Sequence, residues 1–283
     1  MQPRMVQPVG EVSTSGREPS STEAPEEANI PSRRASPDLQ VEREFRKWQL
    51  SIGYRVLARF GLDEGIAGHI TARDAIEPTS FWTAPFGAYF GAVRSEDLLL
   101  VSEDGDVVEG DGPLNRAAFA IHSSVHRARP DVAGAVHAHG LYGKAFSSLH
   151  TELLPLTQDA CAFYLDHGIH NEYSGVVFDS NEGEQIAAAL GNAKAVILAN
   201  HGHLTVGSSV GSAVWWFVTM ERSMQAQLLA FAAGEPNVID SETAAGTHAV
   251  VGPEDVGAFA FSALAKRIVF EQPDMSPPAG FLV

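Results

Sequence analysis

A single cysteine, Cys161, stands in 283 residues, so no disulfide can close within the chain and no cysteine-built metal cluster is possible. Flanked by Ala160 and Ala162, it reads as a small core residue, and a reducing, cytoplasmic setting is expected. Basic residues are also scarce: 19 Lys and Arg face 35 Asp and Glu, a net charge of −16. No cationic surplus exists to neutralise phosphates, so neither nucleic acid nor an anionic membrane surface is expected as a partner. No run approaches the roughly 20 apolar residues that a membrane span needs. Neither G-x-G-x-x-G nor G-K-[ST] occurs, so nothing signals a dinucleotide fold or a phosphate-cradling loop. The stretch Met1 to Gln40 has no apolar signal core. Its Pro, Ser, Glu and Arg content predicts a disordered tail.

What remains is an ordinary globular composition, 45% hydrophobic. Phe45, Trp48, Ile52 and Val56 recur at helical spacing and stop at Gly61. Strands are predicted in Gly65–Asp74, Phe81–Ala84 and Asp97–Val101, with Asp104-Gly105 turning the last into Val107-Val108. Leu114–Arg127 reads as a helix stopped by Pro130. A strand at Val132–Val136 and a short helix at Tyr142–Leu149 follow. Further on come a strand at Gly175–Phe178, a helix at Glu182–Leu190, a strand at Ala195–Ala199 and a long helix at Val210–Ala233. Beyond Gly234 the pattern weakens, and Gln272–Val283 reads as a loose tail. Alternating strands and helices predict an α/β, three-layered domain.

Histidines give this pattern its chemistry. His137 and His139 end an apolar strand, and residues two apart on a strand share a face. His201 ends a second apolar run, again before a glycine. Three imidazoles at strand ends make an open divalent-metal site. The competing reading is that they are ordinary polar strand-end residues. His203 would lie on the side of His201, behind the metal ligands as a supporting contact or as an acid or base, or be a solvent-facing strand residue. His122 would be an acid, base or weak ligand, or a satisfied core histidine. His69 sits in a glycine-flanked loop. The aromatics Phe81, Trp82, Phe86, Tyr89 and Phe90 are core in part and candidates for an apolar substrate pocket.

The ordered series Gly68-His69-Ile70-Thr71-Ala72-Arg73-Asp74, Asn115–His122, Arg129-Pro130-Asp131, His137-Ala138-His139 and Asn200-His201-Gly202 resembles the class II aldolase/adducin family. The likeness runs from about Arg43 to Ala233. It implies an α/β/α sandwich around a mostly antiparallel central sheet, spanning residues 41–240 between the tail 1–40 and a C-terminal extension 241–283. It also implies one divalent metal on His137, His139 and His201, and a homotetramer with sites at subunit interfaces, where Gln158, Asp159 and Tyr164 would reach a neighbour. His69, Thr71, Asn115 and Arg116 fall in the family's substrate-binding segments. Two departures stand out. Ala118 replaces the glutamate that serves the sugar-phosphate aldolases as acid and base. Arg116 and Ala117 replace their phosphate-gripping serines. The expected function is therefore metal-dependent C–C cleavage beside a carbonyl, by an aldol-type lyase or decarboxylase acting on a phosphate-free 2-oxo or hydroxy acid, aromatic acids included. The alternatives are a non-haem Fe(II) oxygenase that oxidatively decarboxylates an aromatic 2-oxo acid, and a non-catalytic adducin-like interaction module. Zinc, manganese and iron stay open as the ion.

Overall fold

The computed structural model describes residues 35–176 and 180–278. The expected tail 1–40 lies outside the described residues as far as residue 34. Order is in place by Asp38, whose carboxylate caps α1 (Leu39–Arg59) by accepting from the amides of Gln40 and Val41. Gly61, at φ +70°, ends that helix in a conformation that suits glycine.

Eight strands form one sheet: β1 (Gly68–Arg73), β2 (Phe81–Thr83), β3 (Leu99–Val101), β4 (Val107–Glu109), β5 (Gly134–Ala138), β6 (His167–His170), β7 (Ala195–Leu198) and β8 (Gly202–Gly207). Their order is β4-β3-β2-β1-β5-β8-β7-β6, and every neighbouring pair is antiparallel except β6–β7. The expected mixed α/β fold with a mostly antiparallel sheet is what the chain adopts. One face of the sheet is covered by α2 (Arg116–Ala128) and α4 (Ser180–Leu190). There Ile121, Val125, Ile186 and Leu190 pack on Ala135, Val196, Leu204 and Val206. The other face carries α1 and α5 (Val210–Ala233), with α3 (Leu141–Ser147), α6 (Ser241–Val251) and α7 (Glu254–Glu271) around them. Helix α5 is apolar on nearly all sides, as a helix enclosed by protein must be, and a Ser209–Ser212 capping box starts it.

Several elements differ from expectation. Gly175 and Val176 form a bend, and the rest of the strand predicted at Gly175–Phe178 lies outside the described residues. The strand on that edge is β6, whose sequence His-Gly-Ile-His has no apolar run and is ordered by parallel pairing with β7. The region after Gly234 is helical. Phe261, Ala265 and Ile268 of α7 enter the core beside Trp48. Gln272–Met275 is not loose: Trp48 Nε1 donates to the Met275 carbonyl at 2.9 Å, and Arg55 binds the Gln272 side chain. Residues 279–283 lie outside the described residues. No helix among the described residues is long and apolar enough to cross a membrane.

Candidate metal centre

The sheet register puts the histidines together. His137 is the fourth residue of β5, and His139 follows its end. Strands β7 and β8 are joined by the tight turn Ala199–His201, in which Asn200 takes φ +56°, a left-handed value that asparagine tolerates. That turn sets His201 against β5. Ring centroids lie 4.6 Å apart for His137–His201, 4.9 Å for His139–His201 and 5.1 Å for His137–His139. One nitrogen from each falls within 4.8 Å of the others, so the three could hold one metal ion.

The protonation pattern fits an ion. His137 Nδ1 donates to the His203 carbonyl at 2.9 Å, which leaves Nε2 with a bare lone pair. That Nε2 is buried and has no hydrogen-bond partner among the described residues. His139 Nε2 and His201 Nε2 face each other at 3.1 Å. Burial holds all three rings neutral: it pushes His137 well below the ordinary histidine range, lowers His139 and brings His201 to about 4. Neutral imidazoles with converging lone pairs are the donor set that divalent zinc, manganese or iron accepts.

Behind this triad runs a second set. His69 lies opposite His137 in the β1–β5 register, with ring centroids 5.1 Å apart. Its Nδ1 meets His122 Nε2 at 2.7 Å. His122 Nδ1 meets Thr71 Oγ1 at 2.6 Å, and that hydroxyl also meets His126 Nε2 at 2.8 Å. Thr71 and Asn115, expected near substrate, both line the small cavity beside His69. The Thr71 hydroxyl is held between two rings of α2, because Thr71 follows His69 by two on the same strand face. Asn115 is the N-cap of α2, its side-chain oxygen accepting from the Ala118 amide at 3.1 Å. Arg116 is exposed and does not line the small cavity beside His69. That cavity, about 20 Å³, has room for roughly one water and is bounded by Ala118, Phe81, Phe86, Phe90 and Phe119 among others. Trp82 is core on the other sheet face, and Tyr89 is exposed.

His203 is not on the side of His201. Strand parity restarts at Gly202. Leu204 therefore lies opposite His137, while His203 lies opposite Ala138 and points to the α5 face. There its ring stacks on Phe217, with centroids 4.1 Å apart, and its Nε2 donates to the Phe217 carbonyl at 3.3 Å. It is neither a solvent-facing residue nor a neighbour of the triad's open side; burial lowers its pKa to about 4. Sequence reasoning gave no role to two residues that the fold brings in. His126 shares a helix face with His122, four residues earlier, and that spacing was the available signal. Glu221, a buried carboxylate in apolar α5, accepts from the Tyr142 and Gly143 amides at 2.9 and 2.8 Å, and so anchors the segment that follows His139. A lone acid on a mostly apolar helix was its signal.

The comparisons agree with this architecture. The Class II Aldolase and Adducin N-terminal domain model matches residues 49–228, and the chain belongs to that family. The chain is 38% identical to Decarboxylase NovR of Streptomyces niveus, over 83% of this chain and 87% of that protein. It is also 38% identical to the 4-hydroxy-3-prenylphenylpyruvate oxygenase/4-hydroxy-3-prenylbenzoate synthase of Streptomyces roseochromogenus subsp. oscitans, over 84% and 86%. Among solved structures, the L-fuculose 1-phosphate aldolase from Glaciozyma antarctica PI12 superposes with a TM-score of 0.80 at 40% identity, covering 86% of this chain and 96% of that one. With these likenesses the protein is an enzyme of lyase, decarboxylase or oxygenase type.

Proposed function

We propose that this enzyme cleaves the C–C bond beside the carbonyl of a phosphate-free aromatic 2-oxo acid, releasing its carboxyl group, with one divalent metal on His137, His139 and His201. The observation that carries this reading is a ligand cluster built from imidazoles alone. Among the described residues no carboxylate joins the triad, and Ala118 stands buried where the sugar-phosphate aldolases are expected to hold their glutamate. Bound there, the ion would supply a Lewis acid for the carboxylate and carbonyl oxygens, or oxygen chemistry if it is iron. His137 is held in a metal-ready tautomer by the His203 carbonyl. His69, with Nε2 making no hydrogen bond among the described residues, stands beside His137 to meet a substrate oxygen, and His122 holds its other nitrogen. The decarboxylase and oxygenase relatives support the substrate class.

Oxidative decarboxylation with iron is a second reading, favoured by the oxygenase relative. Aldol cleavage of a sugar phosphate is favoured by the likeness to the Glaciozyma enzyme. Against it stand the missing acid–base group, worth about 10²–10⁴ in rate, and the lack of a phosphate grip. One experiment separates them: metal analysis of protein purified without added metal, then a panel of 4-hydroxyphenylpyruvate, its 3-prenyl derivative and fuculose 1-phosphate, with oxygen uptake recorded. Carbon dioxide release from the 2-oxo acids is the expected result. Uptake of oxygen only with Fe(II) would promote the oxidative reading. Sugar-phosphate turnover at an ordinary aldolase rate would overturn the proposal.

We further propose a cytoplasmic homotetramer, supported by the exposed apolar side chains Leu141, Leu149 and Leu165. A monomer by light scattering at micromolar concentration would contradict it.

A further inference from the structure

One ion pair ties together the two chain segments that carry His139 and His69. Helix α3 starts immediately after His139 and Gly140, and the Lys144 amide donates to the Gly140 carbonyl at 3.0 Å, so Lys144 stands one helical turn beyond the ligand. On the neighbouring strand, the β1–β5 register sets Gly68 opposite Ala138. The turn that enters β1, Asp63–Ala67, therefore lies beside the segment that leaves His139. Within it the Gly65 amide donates to Asp63 at 2.8 Å and the Ala67 amide to Glu64 at 3.1 Å, while Ile66 borders the cavity beside His69. Lys144 Nζ donates to Glu64 Oε2 across this edge of the site.

The pair contributes little as a strap. Its side chains are 35% and 48% exposed, and such a pair is worth about 0–1 kcal/mol. Helix α3 is already held by Glu221, which takes the Tyr142 and Gly143 amides, and by the packing of Phe146 with Met220 and Met224. The charges of the pair do reach the metal ligands. His139 is lowered first by burial, then further by Lys144, and Glu64 opposes that fall. Burial and other histidines account for the lowering of His137 and His201, so Lys144 is the cationic side chain that bears on the triad. A chain of net charge −16 needs such a cation wherever an anion is to approach. Lysine, a point charge on a flexible stem with three rotatable donors, is suited to exchanging one carboxylate for another.

We propose that Lys144 is a substrate-binding residue whose ammonium rests on Glu64 and passes to the carboxylate of the incoming acid. The identity of that anion, a 2-oxo acid, rests on the function proposed above. A carboxylate has two oxygens, so Lys144 and an ion on the triad need not compete for it. Glu64 is then a competitor of the substrate and not a contact to it, and the two members of the pair act on binding with opposite signs.

The test is titration calorimetry on the full chain loaded with zinc. The probe is 3-(4-hydroxyphenyl)propionate, which has the carboxylate but no 2-oxo group to cleave, and its amide is the uncharged control. The wild-type protein should bind the acid more tightly than the amide. Lys144→Gln should weaken the acid about tenfold, the low end for a hydrogen bond to a charged group, and leave the amide unchanged. Lys144→Arg should restore most of the loss. Glu64→Gln should tighten the acid about threefold, within the range of an exposed pair released. If the pair only strapped the two segments together, both Gln variants would weaken binding, and acid and amide alike; that result would overturn the proposal. So would acid binding unmoved by Lys144→Gln, or no preference for the acid in the wild-type protein. If Lys144→Gln does not fold, the sign of the change in Glu64→Gln, at an exposed position, decides alone. Because no turnover is read, failure here is distinct from failure of the functional reading, which the substrate panel reports.

Discussion

His137 commits its Nδ1 hydrogen to the His203 carbonyl and keeps Nε2 free, toward the rings of His139 and His201. A side chain so arranged has little structural work for Nε2 besides ligation. Changing His137, His139 or His201 to Ala should therefore lower metal affinity by more than the 10–100-fold that outer-shell partners alone typically cost. The far-ultraviolet circular dichroism should stay unchanged. Full metal occupancy in the triple variant, read by elemental analysis, would remove the triad from consideration. The proximity of these three was legible in the sequence because strand alternation and the strand–His–Gly pattern are local signals. The placement of His203 was not: its face depends on where β8 resumes after the turn, and one residue of register reverses every side chain. Thr71 and Asn115 were legible as polar residues near the site. Whether their oxygens were free or committed depended on the packing of α2.

At the level of elements, β5 and the helices flanking it were readable from periodicity, whereas β6, α6 and α7 were not. Strand β6 exists because β7 lies beside it, and α6 and α7 are rich in Ala and Gly, with apolar residues that do not form a clean stripe. Glu221 shows how one element fixes another. Its carboxylate satisfies two amides at the start of α3, immediately after His139, and Gly140 packs so closely that a Cβ there would meet the carboxylate at 2.5 Å. Burial raises the pKa of Glu221, and the two amides act against that rise. Glu221→Ala leaves both donors without this acceptor in a tightly packed region and should cost about 1–3 kcal/mol or more in denaturant unfolding. It should also weaken metal binding through displacement of His139. Glu221→Gln, which keeps one acceptor, should cost less. Equal stability of the Ala variant and wild type would show that α3 is held by its apolar contacts with α5 alone.

For the molecule as a whole, acid exposes a contest between surface charge and buried imidazoles. The net charge of −16 and a pI near 5.0 mean that lowering the pH toward 5 relieves self-repulsion, which alone would raise stability. Those charges are largely on the surface and screened beyond about 8–10 Å at ordinary ionic strength. The histidines act the other way. His126 is depressed to about 3, and His201 and His203 to about 4, each chiefly by burial. Unfolding restores a value near 6.5, so below that pH the unfolded chain takes up protons that the folded chain refuses. Each such group contributes its full stability above about pH 6.5, and loses it as pH falls toward its folded value, at up to ~1.4 kcal/mol per pH unit. His122, also well depressed, adds to this, while Asp74 and Asp131, lowered by their arginine partners against the opposing effect of burial, lose their contribution only at lower pH. Glu221, raised, has the opposite sign but is a single group. Several imidazoles together reach the order of a domain's whole stability, roughly 5–15 kcal/mol. The expected result is a melting temperature of the EDTA-treated protein that falls continuously from pH 7 to pH 5, with a shallower fall when zinc is present, since a bound ion opposes protonation of His201 and its partners. A melting temperature that rises toward the pI would mean that surface repulsion outweighs the buried histidines.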